Sequence, residues 1–189
     1  MLQAVRHMDR LLQSLLQYAR VGRGKPNFVV CSIDTMVDRI LGHLRASIEK
    51  SGAQITRDPL PTVTCDEVLI SQLLQNLIEN AIKYRGEKPP LIHISAKRGE
   101  NEWVFSVRDD GIGIPGNFHG QIFEPFHRLH TDESRYEGVG IGLAISRKIV
   151  QQHSGRLWVE SKPDEGATFF FSIPHDLADE VVVKAPAGS

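Results

Sequence analysis

The sequence predicts an α+β fold: a two-layer α/β sandwich, in which a mixed sheet carries three helices on one face, preceded by one amphipathic helix. Three observations lead to it. Apolar residues recur at helical spacing in the opening segment. From Asn27 onward, short β-type runs alternate with helical patterns. The later part of the chain adds two β-type pairs, each joined by a polar turn.

The elements follow in order. In AVRHMDRLLQSLLQYARVG, residues Val5, Met8, Leu11, Leu12, Leu15 and Leu16 stand three and four apart, with Arg6, Asp9, Arg10 and Gln13 opposite. Gly22, Gly24 and Pro26 stop this helix. Its stripe has two readings: docking on its own domain, or one arm of a helical hairpin, and the second is preferred. The run FVVCSI reads as a strand, and Asp34 is expected to cap the helix after it, with Val37, Ile40, Leu41, Leu44 and Ile48 on one face and Gly52 at its end. AQITR and VTC read as strands around the DPLP turn. Asp66 is expected to cap a second helix, strongly apolar through Leu69, Leu73, Leu74, Leu77, Ile78, Ala81 and Ile82. LIHISAKR and WVFSVRD form a hairpin around GENE. Residues 111–138 form a glycine-rich polar loop with one apolar island, Ile122 to Phe126, and a loop of that length is functional or mobile. Ile141 to His153 reads as the third helix, and RLWVES and GATFFFSIP as a closing hairpin around PDEG. The expected division is a partial helical hairpin at 1–22, a linker at 23–26, the sandwich at 27–175 and a tail at 176–189.

Composition narrows the function classes. A chain of 189 residues that is 41% hydrophobic supports one folded domain with a short appendage. The formal net charge of -1 gives no electrostatic reason to expect nucleic acid or a membrane surface as partner. Cys31 and Cys65 sit in apolar strand-like runs and read as small core residues. No apolar run approaches the ~18 residues of a membrane span, and no signal peptide is visible at Met1. A cytoplasmic location is expected, which leaves open a membrane anchor elsewhere in a parent protein.

Three constellations carry chemistry. Asn76 and Asn80 share a helix face, with Lys83 and Tyr84 next along it. Asparagine is a poor helix former, and amide oxygens among leucines either are solvated or coordinate a hard cation that also holds phosphate. The second is RDDGIGIP after a strand: a tight turn, or a carboxylate able to accept from an exocyclic amine beside glycines that admit a flat ligand. The third is EGVGIGLAISRKIV, where Gly138, Gly140 and Gly142 run into a helix start whose free N–H groups suit an anion. It does not follow a strand of a parallel βαβ unit, so a dinucleotide fold is not expected. His127 and His130 have no partner at zinc spacing.

In this order, the motifs resemble those of sensor histidine kinases. NLIENAIKY is similar to their N box, DDGIGI to the first glycine box, IFEPFHRLH to the F box and GVGIGLAIS to the second glycine box. GATFFFSIP resembles the closing strand, and the likeness runs over residues 27–174. The wider family includes DNA gyrase, mismatch-repair ATPases and pyruvate dehydrogenase kinases, and its domain is the Bergerat-type ATP-binding sandwich. The resemblance implies ATP and Mg2+ as cofactors, with Asn80 as metal ligand, Asn76 near the phosphates and Lys83 on a phosphate. Tyr84 would pack on the adenine face, Asp109 would bind the adenine amino group with Thr168 near the same edge, and Gly111, Gly113 and Ile114 would shape the base pocket. Gly138, Val139, Gly140, Ile141, Gly142 and Leu143 would embrace the phosphates, and Arg128 would reach them from the F box. Asp110 stands where the family often has Asn.

RHMDRLLQSLLQYARV resembles the second helix of the family's dimerisation hairpin. The first helix of that hairpin would carry the phosphoacceptor histidine, followed by an acidic residue and Leu-Arg. His7, followed by Met8 and Asp9, departs from that pattern, so the acceptor is expected outside this chain. The implied partners are that hairpin, a response-regulator receiver domain and a second copy of the parent protein in a homodimer. Two other classes remain. Family hydrolases carry a glutamate one turn before the metal-binding Asn, where this chain has Asn76, which takes no proton at neutral pH; hydrolysis should be slow. A non-catalytic nucleotide sensor is disfavoured because every site position is present.

Overall fold

A computed structural model describes residues 2–21, 24–127, 129 and 139–175; Arg128, Gly138 and the expected tail 176–189 lie outside the described residues. In chain order the elements are α1 (Leu2–Arg20), β1 (Phe28–Ser32), α2 (Ile33–His43), α3 (Arg45–Ser51), β2 (Gln54–Arg57), β3 (Thr62–Asp66) and α4 (Glu67–Lys83). They continue with β4 (Leu91–Arg98), β5 (Glu102–Asp109), α5 (Gly142–Gln152), β6 (Leu157–Ser161) and β7 (Ala167–Pro174).

The strands divide where one mixed sheet was expected. A five-stranded sheet has the order β2-β4-β5-β7-β6, while β1 and β3 pair with each other alone. Within the larger sheet β2 runs parallel to β4, and every other pairing is antiparallel. Side chains alternate across it. Ile92, Ile94, Phe105, Val107, Phe169, Phe171 and Ile173 are buried on the helix side. Phe105 and Phe171 stack there with ring centroids 4.8 Å apart.

Two local details differ from the sequence reading. Ser32, not Asp34, caps α2: its hydroxyl accepts from the Thr35 N–H at 3.3 Å. The strand-to-helix turn comes early because Ile33 is already in the helix and fully buried. Asp34, one residue further in, accepts from the Leu60 N–H at 3.1 Å and pairs with Arg57 at 3.1 Å. The expected single helix is also interrupted at Leu44 (φ -87°, ψ 2°), which separates α2 from α3 while staying buried. Gly52 ends α3 in the left-handed region, as expected.

Helix α4 is the central beam. Asp66 caps it, its Oδ1 accepting from the N–H groups of Val68 and Leu69, both at 3.1 Å. Ile70, Leu73, Leu74, Leu77, Ile78, Ala81 and Ile82 bury its apolar face. The same cap region receives α5. The Asp66 N–H donates to His153 Nε2 at 3.0 Å, so the ring's other nitrogen, Nδ1, donates to the Ile149 carbonyl at 2.8 Å. Burial holds this imidazole below its ordinary pKa, in the neutral form the pattern requires. Cys31 and Cys65 are buried and unbridged, as expected of core residues, and burial raises both thiols.

Helix α1 is joined to this body at its C-terminal end. Val21 is buried in the common core, and the Lys148 ammonium donates to the Tyr18 carbonyl at 3.2 Å while lying 3.7 Å from the Tyr18 ring centroid. Met8, Leu12, Leu15 and Leu16 of its stripe are 43–61% exposed, so these side chains are not docked on their own domain. Among the described residues no helix is long and apolar enough to cross a membrane.

Candidate functional site

The site forms where the end of β5, the two ends of α4 and α5, and the loop after β5 converge. Asp109 is the last residue of β5, two places beyond Val107, so strand alternation turns it to the helix side of the sheet. It is 8% exposed. Its Oδ1 accepts from the N–H groups of Gly111 at 2.9 Å and Ala167 at 3.3 Å. Burial pushes the carboxyl up to about 6, against the lowering effect of those two hydrogen bonds. The second oxygen, Oδ2, takes no hydrogen bond among the described residues.

Around Asp109 lies a cavity of about 80 Å3 lined by Tyr84, Ile112, Gly113, Ile114, Ala167 and Phe169, among others. Main-chain packing builds its walls. Ile112 N–H donates to the Tyr84 carbonyl at 3.1 Å, tying the glycine loop to the end of α4. Gly113 has φ +68°, and a Cβ there would stand 1.9 Å from the Lys162 carbonyl. Gly166, from the PDEG turn, is as tightly placed: φ +79°, with a Cβ 2.1 Å from the Asp109 carbonyl. The Ile114 N–H donates to Ser161 Oγ at 2.8 Å, so the closing hairpin also supports the cavity.

Beside the cavity, and sharing lining residues with it, lies a cleft of about 850 Å3, within the range of small-ligand sites. Asn76, Asn80, Lys83 and Tyr84 line one side, Val139, Gly140, Ile141, Gly142 and Leu143 the other. Asn80 and Tyr84 border both spaces, which makes α4 the shared wall. Lys83 Nζ donates to the Tyr84 hydroxyl at 2.9 Å and sits 4.4 Å from that ring's centroid. Ile141, at the start of α5, offers no side-chain cap, so the first N–H groups of that helix face the cleft.

The structure therefore brings together Asn76, Asn80, Lys83, Tyr84, Asp109, Gly111, Gly113, Ile114 and residues 139–143. It does not bring Thr168. That residue lies in register with Arg108 and Glu160 on the opposite face of the sheet, while its neighbours Ala167 and Phe169 line the base cavity. Sequence reading also missed Ile122, His127 and Leu129, which line the same cavity. His127 borders the cleft as well, and its Nδ1 is buried without a hydrogen-bond partner. The signal for it was its place next to the apolar island, read there as loop.

The donor set fits a hard cation held mainly by a ligand's phosphates. Two amide oxygens and a lysine line the cleft, and the described residues contain no group of three or more His, Cys, Asp or Glu able to hold a metal by themselves.

Comparison with known proteins agrees with this geometry. The profile described as "Histidine kinase-, DNA gyrase B-, and HSP90-like ATPase" matches residues 65–177. Cyanobacterial phytochrome A of Nostoc sp. (strain PCC 7120) is 50% identical over 88% of this chain, which spans 22% of that relative's length. The nucleotide-free catalytic domain of histidine kinase ThkA superposes with a TM-score of 0.68 at 29% identity, covering 79% of this chain and 96% of that one. Full-length ShkA in complex with AMPPNP gives a TM-score of 0.77 at 26% identity, covering 91% of this chain and 36% of that one. This chain thus belongs to the histidine kinase-, DNA gyrase B- and HSP90-like ATPase family, among the histidine-kinase ATP-binding catalytic domains.

Proposed function

We propose that this chain binds Mg-ATP and positions its γ-phosphoryl group for transfer to a histidine outside residues 1–189, for relay to a receiver-domain aspartate. The observation that carries the reading is a cavity holding a buried carboxylate that shares lining residues with a cleft bearing two asparagines, a lysine and an uncapped helix start. Asp109 Oδ2 accepts from the adenine amino group, and Tyr84 and Ile114 flank the ring. Asn80 holds the magnesium ion, Asn76 and Lys83 face the phosphates, and the first N–H groups of α5 take phosphate oxygens. Magnesium supplies charge neutralisation between the phosphates when bound. Arg128 and Gly138 join the phosphate end in the same proposal.

Transfer rather than hydrolysis is favoured by Asn76, which stands where a hydrolase needs a base and is bound by its amide nitrogen to Ser146 Oγ. Glu79 also lines the cleft, where its Oε1 accepts from Gln75 Nε2 at 2.8 Å. The exposed stripe of α1 supports a helical partner, consistent with residues 1–22 as one arm of a hairpin in a dimeric parent. The linker at 23–26, the sandwich at 27–175 and the tail complete that division.

The test is incubation with γ-labelled ATP. The 189-residue chain should bind Mg-ATP and stay unlabelled. Acid-labile label should appear on a longer version of the parent protein that restores the hairpin and carries a disabled ATP site. Robust acid-labile label on the chain itself, lost in His7→Gln, would overturn the assignment of the acceptor.

A further inference from the structure

Asn76 of α4 is gripped by a hydroxyl of α5. Ser146 lies one turn into α5 and is fully buried. Asn76 Nδ2 donates to Ser146 Oγ at 2.8 Å, and the Ser146 hydroxyl donates to the Gly142 carbonyl at 3.1 Å. A serine hydroxyl has one proton to give. With that proton spent on Gly142, the oxygen can only accept from Asn76, so the amide atom facing it must be the NH2. One of the two flips of the carboxamide is thereby excluded. Its Oδ1 lies instead against Gly142, where a Cβ would stand 2.2 Å from it. Gly142 is thus the residue that leaves room for the amide, and both residues line the cleft.

From this arrangement we infer that Ser146 is a positioning residue for the phosphate end. It locks Asn76 so that a carbonyl oxygen, rather than an NH2, is presented beside the start of α5. A carbonyl oxygen is the half of the amide suited to a hard cation or its bound water; the NH2 would suit a phosphate oxygen. Ser146 therefore makes Asn76 a partner of the cation side of Mg-ATP. The inference rests on the proposed reading of the cleft as an Mg-ATP site. A purely structural Ser146 would do no more than hold α4 to α5.

The experiment compares wild type, Ser146→Ala, Asn76→Ala and the double variant. For each, the affinity for ATP is measured with magnesium and with chelator, alongside ADP affinity in chelator and a thermal melt. Ser146→Ala should reduce the magnesium-dependent gain in ATP affinity roughly fivefold, the scale of one ordering hydrogen bond, and leave ADP affinity in chelator within about twofold. In the Asn76→Ala background the serine substitution should change nothing further, because the group it positions is gone. Equal losses with and without magnesium, no loss at all, or a full additional loss in the Asn76→Ala background would each overturn the inference. If wild type itself gains no ATP affinity from magnesium, the reading of the cleft fails, and this inference with it. Wild-type gain with additive variants refutes only the role given to Ser146.

Discussion

Around Asp109 the decisive groups are held by main chain, whereas around Asn80 they are held by side chains reaching from helices. Asp109 takes two backbone N–H groups, and Gly113 and Gly166 sit where any side chain would strike a carbonyl. At the other end, Lys83 rests on the Tyr84 hydroxyl, a contact that a rotamer change can exchange for a ligand's, and Asn76 is held by Ser146 Oγ, a side chain of the opposite helix. The difference teaches that the two ends should respond to different perturbations. The base end is preorganised and should read the base whatever is attached to it. The phosphate end assembles around charge and should respond to magnesium.

The sharpest test swaps the two ends. Asp109→Ala should weaken ADP and ATP alike by about ten- to a hundredfold, with or without magnesium, the scale of a hydrogen bond to a charged group. Asn80→Ala should cost roughly tenfold for ATP in magnesium and far less in chelator. Titration of both nucleotides under both conditions is the measurement. Two variants with the same profile would dissolve the division into ends.

Acid should weaken the base end selectively. Asp109 Oδ1 is occupied by two N–H groups, so a proton arriving on this carboxyl goes to Oδ2, the oxygen assigned to the adenine amino group in the proposed function. A donor then meets the adenine amino donor. With the carboxyl at about 6, ADP affinity in chelator should fall as pH drops through that value, by about tenfold near pH 5. The same shift has a sign for folding. A carboxyl raised from 3.8 to about 6 gives stability that is present below 3.8 and lost as pH rises through about 6. Acid should therefore relieve a cost at this residue while it removes function. Asp109→Asn should flatten the binding profile, apart from the nucleotide's own titration. A wild-type profile as flat as the variant's would mean that Oδ2 does not meet the base.

What was legible in the sequence follows the same contrast. Asp66 was readable as a cap because it stands directly before a periodic apolar run, and Asp109 because it leads a strand into DGIG. The cap of α2 is less legible: Ser32, still within the strand, competes with Asp34 for the same turn and wins by letting Ile33 into the core. The face of Thr168 is not legible, because alternation along β7 depends on which strand residue first faces the helices, and only the pairing of Asp109 with Ala167 fixes that. Gly166 looked like an ordinary turn glycine; its closeness to Asp109 is a contact between residues far apart in the chain. Ser146 gave no signal, since a serine within a helix pattern reads the same on either face until the opposite helix is known. The division of the strands into two sheets was likewise invisible, because β1 and β3 carry the same local pattern as the strands of the larger sheet.

The smallest expected effect concerns α1 and tests whether it belongs to the phosphate end at all. Ser14 and Gln17 line the cleft, and Lys148 makes a polar contact with α1 at Tyr18. A cation over a partly exposed ring contributes on the order of 0.5–1 kcal/mol. Lys148→Met keeps the length of the side chain and removes the ammonium, so it should loosen α1 without disturbing α5, whose core residues Ile145 and Ile149 face away from that contact into the body. Amide exchange in residues 12–20 should speed up by a few fold, on the scale of that interaction energy, while protection in α4 and β5 stays unchanged. ATP affinity in magnesium should stay within about twofold of wild type, because the groups assigned to the nucleotide sit on other elements. A larger loss of affinity, appearing together with the faster exchange in α1, would make the first helix a third wall of the nucleotide site and end the two-ended description.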